Sequence, residues 1–154
     1  MKKYLVRSMS WLAVLSAFYM NSLYAHSSSP SVVGQPADAS RVTKTIKVTA
    51  SDDMKFQFLS EPNLHNGDVI SFEVTNVGKV PHEFSIGDEK EQKAHLQMMR
   101  KMPNMVHQHG NAITINPGET KQLIWEFKSG FEVVFACNIP GHFEAGMYKK
   151  AHVA

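Results

Sequence analysis

Cys137-Asn138-Ile139-Pro140-Gly141-His142-Phe143-Glu144-Ala145-Gly146-Met147 sets a thiol, an imidazole and a thioether within eleven residues. The run before it, Phe131-Glu132-Val133-Val134-Phe135-Ala136, is rich in β-branched and aromatic side chains. Such residues suit a packed, pleated surface, so the run reads as a strand ending at Cys137. Pro140-Gly141 forces a turn, and Met147 opens a further strand after Gly146. Two adjacent strands joined by this loop would bring Cys137, His142 and Met147 to one end of a sheet.

Working outward, short alternating segments fill the chain from Arg41 onward. They are Thr45–Ala50, Lys55–Leu59, Val69–Thr75, His82–Ile86, Ala112–Ile115, Gln122–Phe127, Phe131–Ala136 and Gly146–Val153. Asn66-Gly67-Asp68, Asn76-Val77-Gly78, Asn116-Pro117-Gly118 and Ser129-Gly130 punctuate them as turns. About eight short strands at this spacing argue an all-β antiparallel sandwich over an α/β sheet. One stretch departs from the pattern. Asp88 to Asn104 carries Lys, Glu, Gln, Ala, Leu and Met in helical order and closes at Met102-Pro103, which predicts a short helix or structured insertion.

The ends and the bulk composition bound the function. Residues 1–25 read as a secretory signal, with a basic start, an apolar stretch from Trp11 to Met20 and a small-residue exit at Ala25. That stretch is shorter than the roughly 20 apolar residues of a spanning helix. The expected location is the periplasm, with no membrane attachment after cleavage. Residues 26–41, rich in Ser, Pro and Ala, read as a flexible leader, and 42–154 as one folded domain. Past Ala25, 13 basic side chains face 14 acidic ones, which gives no case for nucleic acid. A monomer is expected. A single cysteine excludes an internal disulfide, and in an oxidising compartment a lone thiol is a liability unless something occupies it.

Thiolate and thioether stabilise Cu(I), and imidazole accepts both copper states. A trigonal His₂Cys site with a weak axial Met needs one more histidine. His82, in Val80-Pro81-His82-Glu83-Phe84, is the candidate, because it starts a strand that can approach the loop directly. Zinc competes for Cys/His sites but seldom takes a thioether. These residues resemble the copper loop of the cupredoxins, the plastocyanin/azurin superfamily. The Cys-x₄-His-x₄-Met spacing is similar to that of rusticyanin and auracyanin. The resemblance covers Thr45 to the C-terminus and implies a Greek-key β-sandwich with one type 1 copper on His82, Cys137, His142 and Met147. Glu83 is a departure. Many azurin-like proteins carry Asn or Ser after the first histidine, where the backbone helps the thiolate, so Glu83 bears on the potential and colour of the centre.

A second feature is His95-Leu96-Gln97-Met98-Met99-Arg100-Lys101-Met102-Pro103-Asn104-Met105-Val106-His107-Gln108-His109. Four of the six Met past Ala25 lie here with three His. On this basis the chain resembles small periplasmic copper-resistance cupredoxins of the CopI type. An amphipathic helix packed on the sandwich explains Met98, Met99 and Met102. It explains Met105, His107 and His109 poorly, and a second copper site over these residues is the alternative. His26, the first residue after the expected cleavage, could add an amine–imidazole chelate.

Two functions stay open. One is copper tolerance, by binding copper or by oxidising Cu(I), an enzyme-like role. The other is a dedicated electron carrier. Pro140, Gly141, Phe143 and Ala145 around His142 would form an apolar contact patch for a redox partner protein. Hydrolysis finds no support: His82-Glu83 lacks the second histidine of a zinc-protease helix.

Overall fold

The computed structural model describes residues 31–128 and 130–154. The expected signal and His26 lie outside the described residues. The described elements are β1 (Gly34–Pro36), β2 (Lys44–Ser51), β3 (Lys55–Phe58), β4 (Val69–Asn76), β5 (His82–Gly87), α1 (Glu89–Lys101), β6 (Ala112–Ile115), β7 (Thr120–Phe127), β8 (Glu132–Ala136) and β9 (Tyr148–His152). They build a sandwich of a five-stranded sheet, β1-β7-β4-β2-β3, on a four-stranded sheet, β6-β5-β8-β9. The chain crosses between sheets after β4, β6 and β7. This is the all-β architecture expected, and all eight anticipated strands are present.

Alternation builds the core. Ile46 and Val48, Ile70, Phe72 and Val74, and Leu123, Trp125 and Phe127 point inward from the larger sheet. Phe84, Ile86, Ile113, Ile115, Val133 and Phe135 meet them from the smaller one. At the centre Phe84 stacks on Phe135 with ring centroids 5.6 Å apart, and Phe72 lies 5.5 Å and 5.2 Å from these two. These rings tie β4, β5 and β8 together behind the end of the sandwich where His82 and Cys137 emerge.

β5 is buried on both faces. Its His82, Phe84 and Ile86 face the core, while Glu83 and Ser85 face α1. The helix starts at a capping box: Glu91 N–H donates to Asp88 Oδ1 at 2.7 Å, and Asp88 N–H donates to Glu91 Oε2 at 2.7 Å. Gln92, Leu96 and Met99 form its buried stripe. It ends at Lys101, with Met102 as its C-cap ahead of Pro103. Replacing Asp88 by Ala removes one of the two reciprocal bonds and is expected to cost about 1 kcal/mol. Thermal melting would show it, and an unchanged midpoint would mean the helix is held by its packing alone.

Two features differ from expectation. Part of the leader is built into the fold: Gly34–Pro36 pairs antiparallel with Trp125–Phe127. Val33 is fully buried, and Arg41 grips Glu126 with two bonds of 3.0 Å and 2.6 Å. Arg41 and the Gln35 amide pull the Glu126 carboxyl down to about 2. Gly34 is required here, because a Cβ would sit 2.0 Å from the Glu126 carbonyl oxygen. The sheets are also not purely antiparallel, since β2 and β4 pair in parallel from Lys44↔Ile70 to Ala50↔Asn76.

Candidate metal centre

Cys137 follows β8, fully buried, with no disulfide partner. The loop after it is closed by its own backbone. Cys137 N–H donates to Met147 C=O at 3.0 Å, Met147 N–H to His142 C=O at 3.0 Å, and His142 N–H to Ile139 C=O at 3.0 Å. Met147 is fully buried and packs with Cys137 and Ala50. His142 turns back so that Nδ1 lies 3.3 Å from Cys137 Sγ. His82 arrives from the neighbouring strand. Donor atoms of His82, Cys137 and His142 all lie within 4.8 Å of one another.

The chemistry of the donors fits a soft metal ion. His82 Nδ1 is buried and makes no hydrogen bond. His82 Nε2 lies 3.2 Å from Asp52 Oδ1, and a carboxylate only accepts, so the proton sits on Nε2 and Nδ1 keeps a free lone pair. This is the arrangement in which an outer carboxylate orients a metal-binding imidazole. Asp52 sits in the β2–β3 turn, and its carboxyl is held below its usual range chiefly by the Lys79 N–H, with His82 adding to the effect. Burial, and then the nearby His82, lowers the pKa of His142 and so favours the neutral, ligating form.

Burial pushes the Cys137 thiol up to about 12, although N–H groups of Glu83 and Ile139 act to lower it. Glu83 N–H donates to Cys137 Sγ at 3.2 Å. Without a metal ion the group is therefore a protonated thiol, and a bound cation would convert it to thiolate. The loop before His82 is fixed by buried Asn76, whose Nδ2 donates to Val80 C=O at 2.8 Å and Ile115 C=O at 3.0 Å. Gly78 lets this loop pass close to Asp52, because a Cβ there would lie 1.9 Å from Oδ1.

The His/Met segment does not gather as one site. Met99 is buried in the helix–sheet contact, Met102 is 42% exposed, and His109 is exposed. Met98 and Met105 are half-buried. His95 and His107 do converge, on the buried carboxylate of Glu83. Sequence reading missed this role of Glu83 and the role of Asp52, each contributed from a distant part of the chain. Around His142, Pro140, Gly141 and Ala145 are exposed and Phe143 stacks on Tyr148 at 5.0 Å. Arg100 of α1 reaches this loop through Glu144, at 2.5 Å.

No protein-family model matches the chain. Among solved structures, it superposes on the dithionite-reduced auracyanin of Roseiflexus castenholzii with a TM-score of 0.62 at 18% identity, covering 73% of this chain and 98% of that one. Auracyanin B gives 0.62 at 16% identity over 81% and 96%. These likenesses establish the fold. In sequence, the copper-resistant cuproprotein CopI of Vibrio cholerae serotype O1 is 49% identical over 117 residues, covering 76% of this chain and 69% of the relative. The protein of the same name from Rubrivivax gelatinosus is 38% identical over 120 residues, covering 78% and 72%. With that identity over most of both sequences, on a cupredoxin sandwich, the chain belongs to the CopI family of cupredoxins.

Proposed function

We propose that this is a copper-binding protein of copper resistance that holds one type 1 copper on His82, Cys137, His142 and Met147. The observation that carries the reading is the buried, unpartnered His82 Nδ1 beside a buried thiol and the Nδ1 of a second imidazole. Copper would supply one-electron exchange between its cuprous and cupric states. The chain supplies rigidity: Asp52 orients His82, the Glu83 N–H supports the sulfur, and the self-bonded loop fixes His142 and Met147. The relatives' names support copper resistance as the purpose. Export to the periplasm by residues 1–25, a folded domain over 42–154 and action as a monomer complete the proposal. Among the described residues no helix is long and apolar enough to cross a membrane.

Oxidation of Cu(I) would extend this role and needs an electron-accepting partner. The exposed Pro140, Gly141 and Ala145 beside His142 favour a docking surface for such a redox protein. The same surface supports the second reading, a dedicated electron carrier. Growth on graded copper separates the two. A strain lacking the protein that grows normally in excess copper but respires poorly would favour the carrier.

Asp52→Asn tests the geometry. The amide keeps the shape but loses the charge that orders His82, so copper affinity is expected to fall about 10-fold while the visible thiolate band persists. Competition with a chromophoric chelator measures it, and an unaltered affinity would remove Asp52 from the site.

A further inference from the structure

The Glu83 carboxylate lies between the Cys137 loop and α1: Oε1 accepts from the Asn138 N–H and Nδ2 at 3.4 Å each, and Oε2 is turned toward His95 of α1. The Glu83 side chain is fully buried, and Oε2 makes no hydrogen bond. Burying a carboxylate is costly unless a positive partner accompanies it. Two imidazole nitrogens face Oε2, Nε2 of His95 at 3.4 Å and Nε2 of His107 at 3.5 Å. These two nitrogens lie 3.3 Å from each other. Three donor atoms thus form a nearly equilateral triangle. A tetrahedral metal with bonds of about 2.0–2.1 Å requires its ligand atoms to lie about 3.3–3.4 Å apart. The triangle is one face of such a tetrahedron. A shared proton could bridge one of its edges, whereas a metal ion satisfies all three corners.

We propose that Glu83, His95 and His107 form a second metal site that takes a divalent transition-metal ion, copper(II) ahead of zinc(II). Two imidazoles and a carboxylate are harder donors than the thiol and thioether of the Cys137 loop, and they suit the cupric rather than the cuprous ion. Among divalent ions at such a donor set, copper(II) binds more tightly than zinc(II). The side chains of His95 and His107 are 11% and 19% exposed, so an ion can reach them from solvent.

The three ligands come from three different segments, β5, α1 and the loop between α1 and β6. Glu83 lies mid-sheet on β5, paired with Thr114. His95 follows Gln92 by three residues on α1, and the Gln92 amide is anchored by donation to Val134 C=O at 2.7 Å. His107 exchanges two bonds with Thr114: its N–H donates to Oγ1 at 2.9 Å, and its C=O accepts from the Thr114 N–H at 2.8 Å. A site on such supports is preformed and loses little ordering entropy on binding. Glu83 also connects the two centres, because its N–H is the donor to Cys137 Sγ. The second site does not depend on the first holding copper.

The test is a copper(II) titration of the purified full-length mature protein, read by bound-metal count, electron paramagnetic resonance and absorption. Cys137→Ser and Cys137→Ala are each expected to keep one tight equivalent, with a normal cupric signal and no thiolate band. Adding His95→Ala and His107→Ala to either should weaken that equivalent at least 10-fold, with circular dichroism reporting the fold. Equal affinity with both histidines removed would place the ion elsewhere, at the chain's amino terminus for example, and overturn the proposal. So would the absence of any tight equivalent in both cysteine variants. In the otherwise native chain, His107→Ala should bind one equivalent fewer and keep the thiolate band. Loss of that band would mean that His107 acts on the first centre instead. Displacement of the copper by equimolar zinc(II) would overturn the choice of metal.

Discussion

Cys137→Ser is expected to abolish the intense visible band of the copper-loaded protein and to weaken its Cys137-loop copper by more than the about 10–100-fold that losing an outer partner costs. Cys137 is the chain's one cysteine, so no other thiolate can take its place. A serine hydroxyl still fits the buried space and can still accept the Glu83 N–H, so the fold should persist. What disappears is the only soft anionic ligand in the cluster. The native protein should also release a proton as it takes up copper, because burial holds the thiol near a pKa of about 12. Displacing one thiol proton makes apparent affinity rise about tenfold per pH unit below that value. Titration at two pH values with a count of released protons measures this. A visible band that survived in Cys137→Ser would end the type 1 assignment.

Phe84→Ala should lower the unfolding free energy by about 3–5 kcal/mol. Phe84 is fully buried, with ring centroids 5.3 Å from Phe56, 5.5 Å from Phe72 and 5.6 Å from Phe135. Removing it opens a cavity where both sheets meet, and aromatic rings do not collapse into such a space without leaving their rotamers. Domains of this size are stable by about 5–15 kcal/mol, so the loss is a large fraction of the total. Because Phe84 lies two residues from His82 on the same strand face, the copper-free protein should also show looser packing at the ligand end. Urea denaturation gives the number. A loss below about 1 kcal/mol would show that the core does not rest on this ring.

The candidate centre was legible in sequence as a cluster because most of it is local. Cys137, His142 and Met147 come from one loop, and their spacing survives in a linear reading. Strands were legible wherever apolar and polar residues alternate. Partnerships between distant segments were not. Gly34–Pro36 is three residues long, carries a glycine and a proline, and gains its strand character only by pairing with Trp125–Phe127. The parallel match of β2 with β4 follows from which neighbours the sheet provides, and no side-chain pattern encodes it. Asp52 looks like an ordinary turn residue until the fold sets it against His82, thirty positions away. Glu83 read as an oddity of the motif, and only the fold sets His95 and His107 against its buried carboxylate.

The order of strands in the two sheets also bears on self-association. The outermost strands are β1, β3, β6 and β9. β1 has three residues and includes Pro36, β3 and β6 have four each, and β9 carries Lys149 and Lys150. The rim of β6 is further occupied by the His107–Thr114 exchange. Short, charged or covered rims are poor templates for another chain, and such features keep sandwiches from stacking edge to edge into fibrils. Among the described residues, every open border of both sheets is therefore a poor seed for amyloid-like growth, with or without a bound metal ion.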